Sequence, residues 1–172
     1  LLTRWLDQQQ KGGDGRTATF FNVIPLHDGN RFVGSNKSAD YPPRAQKLFD
    51  QLNTFLDQLE KSGRKVVVVI VPEHGAALVG DKMQMSGLRD IPSPNITHTP
   101  VGIKLVGMKA PHQGSPLQIK TPSSYLALSE LVSRLVDGKV FSDPSVDWQA
   151  LTQGLPQTPV ISENDNAVVM LY

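Results

Sequence analysis

The sequence holds no cysteine, which excludes disulfides and thiolate-ligated metals within these residues and leaves the redox compartment open. It has no run of 18 apolar residues, so no segment here is built to cross a membrane as a helix, and no secretory-signal pattern occurs. Charge of one sign is also missing. The 17 Lys and Arg stand against 16 Asp and Glu, and a formal net charge of +1 offers no electrostatic footprint for nucleic acid. Aromatics are scarce at 6%, and there is no internal repeat, low-complexity tract or domain linker. What is there is globular: 39% hydrophobic and 19% charged over 172 residues, enough chain for a real core and too apolar for disorder. The chain begins without Met and stops inside an apolar run ending at Tyr172, so the expectation is an excerpt of a longer protein, cut at both ends.

Residues 2–9 read as the end of a helix, followed by a glycine-rich turn at 11–15. Residues 17–24 (TATFFNVI) are β-branched and aromatic and predict a strand running into the loop Pro25, Leu26, His27, Asp28. Residues 44–60 carry the strongest helical pattern. Ala45, Leu48, Phe49, Leu52, Phe55, Leu56 and Leu59 fall on one face, with Pro42 and Pro43 suited to the helix start and Ser62 and Gly63 to its end. Residues 65–71 (KVVVVIV) are short, β-branched and apolar without alternation, the pattern of a strand buried on both faces of a parallel sheet. Residues 101–106 predict another strand. A second amphipathic helix opens at Thr121 and Pro122, a short one starts at Asp143 and Pro144, and a last strand begins near Ala167. Strands alternating with helices predict an α/β fold with a largely parallel sheet. The stretch 75–122 is long for a plain connection, and such loops in α/β enzymes are usually functional.

Two histidines sit beyond predicted strand ends, the edge at which open α/β sheets bind ligands. His27 follows residues 17–24, and Glu73, His74 and Gly75 follow the valine-rich strand after a single Pro72. Adjacent residues in a strand face opposite ways, but past its end a turn at Gly75 lets Glu73 and His74 face one point. One carboxylate and two imidazoles suit zinc, which polarises a phosphoryl oxygen and lowers the pKa of a bound nucleophile. Two loop histidines and a glutamate at the surface would give the same spacing with no metal.

The segment VVVVIVPEHGAALVGD resembles the alkaline phosphatase and sulfatase superfamily, in which a buried strand ends in Asp-His-Gly or Glu-His-Gly and the first two residues bind metal. The run Asn95 to Val101 (NITHTPV) and the helix after Thr121 resemble further elements of that superfamily's membrane-anchored phosphoethanolamine transferases. The details of PEHGAALVGDKMQMSGLRDIPSPNITHTPVGIKLVG and NVIPLHDGNRF are most similar to the cellulose phosphoethanolamine transferases of bacterial cellulose secretion systems.

The resemblance implies an alkaline-phosphatase-like α/β/α sandwich with a largely parallel central sheet, of which residues 1–172 are the C-terminal portion of a single catalytic domain. It implies that Glu73 and His74 are zinc ligands and His27 a further one. The nucleophile and a remaining ligand are expected upstream, and no Ser or Thr here is promoted to that role. It implies phosphoethanolamine transfer from phosphatidylethanolamine to glucose 6-hydroxyls of cellulose through a covalent phospho-enzyme, alongside the cellulose synthase complex, in a bacterial inner-membrane protein with this portion in the periplasm. Related transferases carry Leu-His-Gly downstream of the metal motif. Here Met85, Ser86 and Gly87 stand in its place, so a second metal site is in doubt.

Arg89, three residues beyond Ser86, is the candidate for the missing positive charge, since guanidinium grips phosphate through paired hydrogen bonds. A solvated loop position is the other reading of Arg89. Asp28 could orient a ligand or cap its turn. His98, at the amino end of residues 101–106, lies at the wrong edge for the site if the sheet is parallel, unless its loop folds over. His112 and Lys82 read as surface residues. Two other functions share the pattern: a phosphatase, sulfatase or phosphomutase of the same superfamily, and a catalytically dead scaffold module of a secretion complex.

Overall fold

The computed structural model describes residues 2–11, 15–27, 37–76, 78, 82, 84, 85, 89–110, 115–163 and 168–171. They divide into two units, Leu1–Ser62 and Gly63–Tyr172, each described by itself. No helix among the described residues is long and apolar enough to cross a membrane.

The first unit holds α1 (Leu2–Lys11) and α2 (Lys37–Lys61). Trp5 of α1 meets Phe55 of α2 edge to face, ring centroids 5.9 Å apart and planes at 88°, a favoured aromatic geometry. Leu59 is fully buried, whereas Phe49, assigned to the same apolar face by periodicity, is 59% exposed. Pro42 and Pro43 lie inside α2 rather than at its start. Proline lacks an N–H, so these two positions donate no helical hydrogen bond, yet the helix extends back to Lys37. The expected end is observed: Ser62 N–H donates to Gln58 O and Leu59 O, and Gly63 takes φ +65°, the left-handed conformation that glycine adopts without steric cost. Residues 17–24 form no strand among the described residues, and Phe20 is 90% exposed. Their β-forming composition is an invitation to pair; a strand exists only where a partner supplies the ladder.

The second unit holds β1 (Val66–Ile70), α3 (Pro94–Thr97), β2 (Gly102–Val106), α4 (Tyr125–Leu135), α5 (Trp148–Thr152), β3 (Val160–Glu163) and β4 (Val168–Leu171), with one 3-10 turn at Lys139–Phe141. The α/β class holds. The largely parallel sheet is not seen among the described residues: β1 pairs antiparallel with β2, from Val66 opposite Val106 to Ile70 opposite Gly102, and β3 pairs antiparallel with β4. A parallel neighbour needs a long crossover, usually a helix, and the connection from β1 to β2 holds only the four-residue α3 among its described residues. Nor is β1 buried on both faces, since β2 is its one partner among the described residues and Val69 and Ile70 remain exposed.

The core of this unit gathers Ile96, Val106, Ala127, Leu131, Leu135 and Phe141. Each fully buried aliphatic side chain contributes about 1.5–3 kcal/mol. The amphipathic pattern of α4 is met by Leu131 and Leu135, while Tyr125 and Val132 lie on its exposed side. Both helix starts fall later than expected, because side-chain caps set them. The Ser124 hydroxyl accepts from Leu126 N–H and the Asp147 carboxylate from Ala150 N–H. Arg134 of α4 then donates to Leu151 O and Gln153 O, both at 2.8 Å, which ties the end of α5 to α4.

Candidate functional site

Past Ile70 the chain leaves the ladder through Val71 and Pro72, whose ring removes a donor and ends the pairing. The Tyr125 hydroxyl, at the first residue of α4, donates to Pro72 O at 3.1 Å. Gly75 N–H donates to Ile96 O at 2.7 Å. Glu73 and His74 are thus suspended between two anchors, one from α4 and one from α3, and both are exposed. Tyr125→Phe removes one anchor of a half-exposed group. The expected cost is about 0.5–1 kcal/mol, read as faster amide exchange at Glu73 and His74 with global unfolding unchanged. Exchange rates equal to the parent's would show that Pro72 is held by other means.

Gly75 is required by close approach, not by its φ. A Cβ built there would lie 1.9 Å from Asn95 O and 2.9 Å from Asn95 C. The backbone of α3 therefore rests directly on the turn that carries His74. The antiparallel register explains this: Gly102, at the start of β2, lies opposite Ile70, at the end of β1. Whatever precedes β2 arrives at the exit of β1. The far edge was expected for His98 only if the sheet is parallel, and this pairing is antiparallel. His98 is the C-cap of α3, donating its N–H to Pro94 O, and the register brings this segment to the Glu73 end of the ladder.

The ring of His74 is set from two sides. Nδ1 lies 2.7 Å from Gly75 O. A carbonyl can only accept, so the proton belongs on Nδ1 and the Nε2 lone pair is left outward. The Arg89 guanidinium donates to Nε2. The site thus joins Arg89 to His74, two residues that sequence spacing alone kept apart. Tautomer control by a backbone carbonyl, with Nε2 outward, is the arrangement that metal-binding histidines use.

In the first unit, His27 is exposed and closes a turn by donating its N–H to Ile24 O at 3.1 Å. The turn is organised by Arg44, which carried no motif signal. Arg44 is only 6% exposed, and its Nη1 donates to Pro25 O at 2.7 Å and to His27 O at 3.4 Å. Its guanidinium carbon lies 5.8 Å from the Tyr41 ring centroid, within cation–π range. The available clue was a cation within the apolar pattern of α2. Asp28, Ser86 and His112 lie outside the described residues.

Among the described residues, no group of three or more His, Cys, Asp and Glu comes together to hold a metal. Glu73 and His74 are one oxygen and one nitrogen donor, the hard and borderline ligands that zinc takes, and with the His74 tautomer they fit part of a tetrahedral set.

The family model for the cellulose biosynthesis protein BcsG C-terminal domain matches residues 1–172. The chain is 62% identical over 172 residues to the cellulose biosynthesis protein BcsG of Escherichia coli (strain K12). It is 63% identical over 172 residues to the protein of the same name in Salmonella typhimurium (strain LT2). All of this chain is covered in both matches, and it spans 31% of each relative's length. A Glu-His-Gly turn backed by α3, an arginine on its histidine, and a match along the whole chain lead to one conclusion: the chain belongs to the family of the cellulose biosynthesis protein BcsG C-terminal domain.

Proposed function

We propose that these residues form part of a zinc-dependent phosphoethanolamine transferase that modifies cellulose, in a bacterial inner-membrane protein with this portion in the periplasm, working with the cellulose synthase complex. The observation that carries the chemistry is the Arg89 guanidinium on the His74 ring, a permanent cation beside an imidazole, in the exposed turn that also holds Glu73. The observation that supports the cellulose assignment is the family itself. His27 is proposed as a further ligand on the resemblance alone, and an alkaline-phosphatase-like sandwich is proposed for the complete domain on the same ground.

Zinc, when bound, would polarise the phosphoryl group and favour the deprotonated form of an attacking hydroxyl. That hydroxyl would attack the phosphorus of phosphatidylethanolamine. The bond from phosphorus to the diacylglycerol oxygen breaks, diacylglycerol leaves with a proton, and phosphoethanolamine stays on the enzyme. A glucose 6-hydroxyl then attacks the same phosphorus, passes its proton to the departing enzyme oxygen and takes the group. Arg89 is assigned the phosphoryl oxygens, where its two parallel N–H groups match the developing charge. Glu73 and His74 would hold the metal, His74 through Nε2, since its Nδ1–H faces the Gly75 carbonyl.

The test is transfer of phosphoethanolamine from phosphatidylethanolamine micelles to cello-oligosaccharides by the complete protein. Arg89→Ala should lower turnover about a hundredfold with zinc content unchanged. Transfer at the parent rate would remove Arg89 from the mechanism. Release of free phosphoethanolamine with no sugar product would favour a hydrolase of the same superfamily.

A further inference from the structure

Arg89 reaches His74 from a loop, and exposed arginines on loops are not held by their own chain. Something must fix the backbone beneath it. Gln84 is half-buried, and its side-chain amide meets both backbone groups of Ile91: Nε2 donates to Ile91 O at 3.0 Å, and Ile91 N–H donates to Oε1 at 3.1 Å. This is the two-bond pairing of a narrow β-ladder, supplied by a side chain. The Ile91 carbonyl also accepts from Ser93 N–H at 2.7 Å, and Ser93 is the N-cap of α3. Ile96 of α3 receives the Gly75 N–H. One line of hydrogen bonds therefore runs from Gln84 through Ile91 and α3 to the turn that carries His74. Arg89 sits two residues before Ile91, inside the segment that the Gln84 amide closes.

We propose that Gln84 is a positioning residue for Arg89: its amide clamps Ile91, and the clamp sets the reach of the guanidinium to His74 and, in turn, to a phosphoryl oxygen. The second half rests on the role proposed for Arg89 above; the first half stands on the clamp alone. Gln84 touches no reacting atom. Its chemistry is specific, because only a primary amide of this length offers a donor and an acceptor to one residue's N–H and C=O. Glutamate keeps the acceptor and loses the donor. Asparagine keeps both and is one methylene short.

The experiment uses the complete protein with selectively 15N-labelled histidine. Its resonances and exchange are read after metal is stripped with a chelator, so that Nε2 is open to the guanidinium, and its turnover is read after zinc is restored. The parent is compared with Gln84→Ala, Gln84→Glu, Arg89→Ala and the double variant Gln84→Ala/Arg89→Ala. Gln84→Ala should move the His74 Nε2 resonance in the same direction as Arg89→Ala and speed amide exchange at Ile91. Gln84→Glu should do so too at the parent's unfolding temperature, which keeps the test valid if the alanine variant folds poorly. Turnover should fall about tenfold in Gln84→Ala with donor KM little changed, and the double variant should be no slower than Arg89→Ala, since coupled residues do not add. A His74 resonance that stays in place when Gln84 is replaced overturns the proposal even if Ile91 exchange quickens. A double variant whose losses multiply overturns it as well. If Arg89→Ala shifts the resonance but leaves turnover intact, the clamp stands and the proposed use of Arg89 falls.

Discussion

Gly75→Ala should markedly destabilise the turn that carries His74. The new Cβ would lie 1.9 Å from Asn95 O and 3.2 Å from Ile96 Cα, and all of these obstacles are backbone. A flexible side chain could turn aside; a backbone carbonyl within α3 cannot. Either α3 moves off the turn or the turn moves off α3, and both break the 2.7 Å hydrogen bond from Gly75 N–H to Ile96 O. Ile96 is buried, so displacing α3 also opens the core beneath β2. Overpacking of this kind costs about 1–3 kcal/mol, and the lost hydrogen bond adds about 1 kcal/mol. In thermal unfolding of the complete protein, Gly75→Ala should melt clearly lower than the parent and lose bound zinc. A melting temperature within a degree of the parent would mean that α3 does not press on the turn.

The second large effect is expected at His74. Its Nδ1 is committed to Gly75 O, so Nε2 is the atom that can act as ligand or acceptor. His74→Ala should lower transfer about a thousandfold or more, the scale seen when a group that stabilises transition-state charge is removed. His74→Gln offers a neutral side-chain carbonyl at a similar reach and should recover only a small part. Folding should be little affected, since His74 is exposed. Transfer near the parent rate in His74→Ala would end the metal reading of the Glu-His-Gly turn.

Much of the second unit was legible in the sequence. The run of valines after Lys65 is a strand, residues 101–106 are a strand, β4 falls where its pattern places it, and α4 is a helix that starts later than its pattern suggests. Composition and periodicity report an element's own preferences. Strand direction is a relation between two elements, and nothing in KVVVVIV distinguishes a parallel from an antiparallel neighbour. Hence the parallel sheet expected here is replaced by two antiparallel pairs among the described residues. The same limit applies to residues 17–24, which have the composition of a strand and no pairing among the described residues. Strand β3 was missed because Val160–Glu163 is only four residues long and follows a proline, so its pairing with β4 is what defines it.

At the site, the chemistry-bearing residue types were visible: Glu73, His74 and Arg89 stand out as polar groups beyond an apolar strand. Their supports were not. Gly75 looked like a residue for a sharp turn; its constraint is the carbonyl of Asn95, distant in sequence. Gln84 acts by donating to a backbone carbonyl, as Arg44 does for the His27 turn of the first unit, and a carbonyl has no identity in a sequence. Tyr125 carries no motif in the sequence, yet its hydroxyl reaches Pro72. Supports of this kind depend on where the backbone passes and emerge only once the chain is folded.

The central claim is that the Glu73–His74 turn binds zinc. It is tested most directly by the metal content of the complete protein purified without an affinity tag that binds metal, beside Glu73→Ala and His74→Ala. The account predicts about one zinc per chain, as one tetrahedral site requires, lost in both variants while the fold is kept. No zinc or other divalent metal in the parent, or zinc retained in full by both variants, would contradict it.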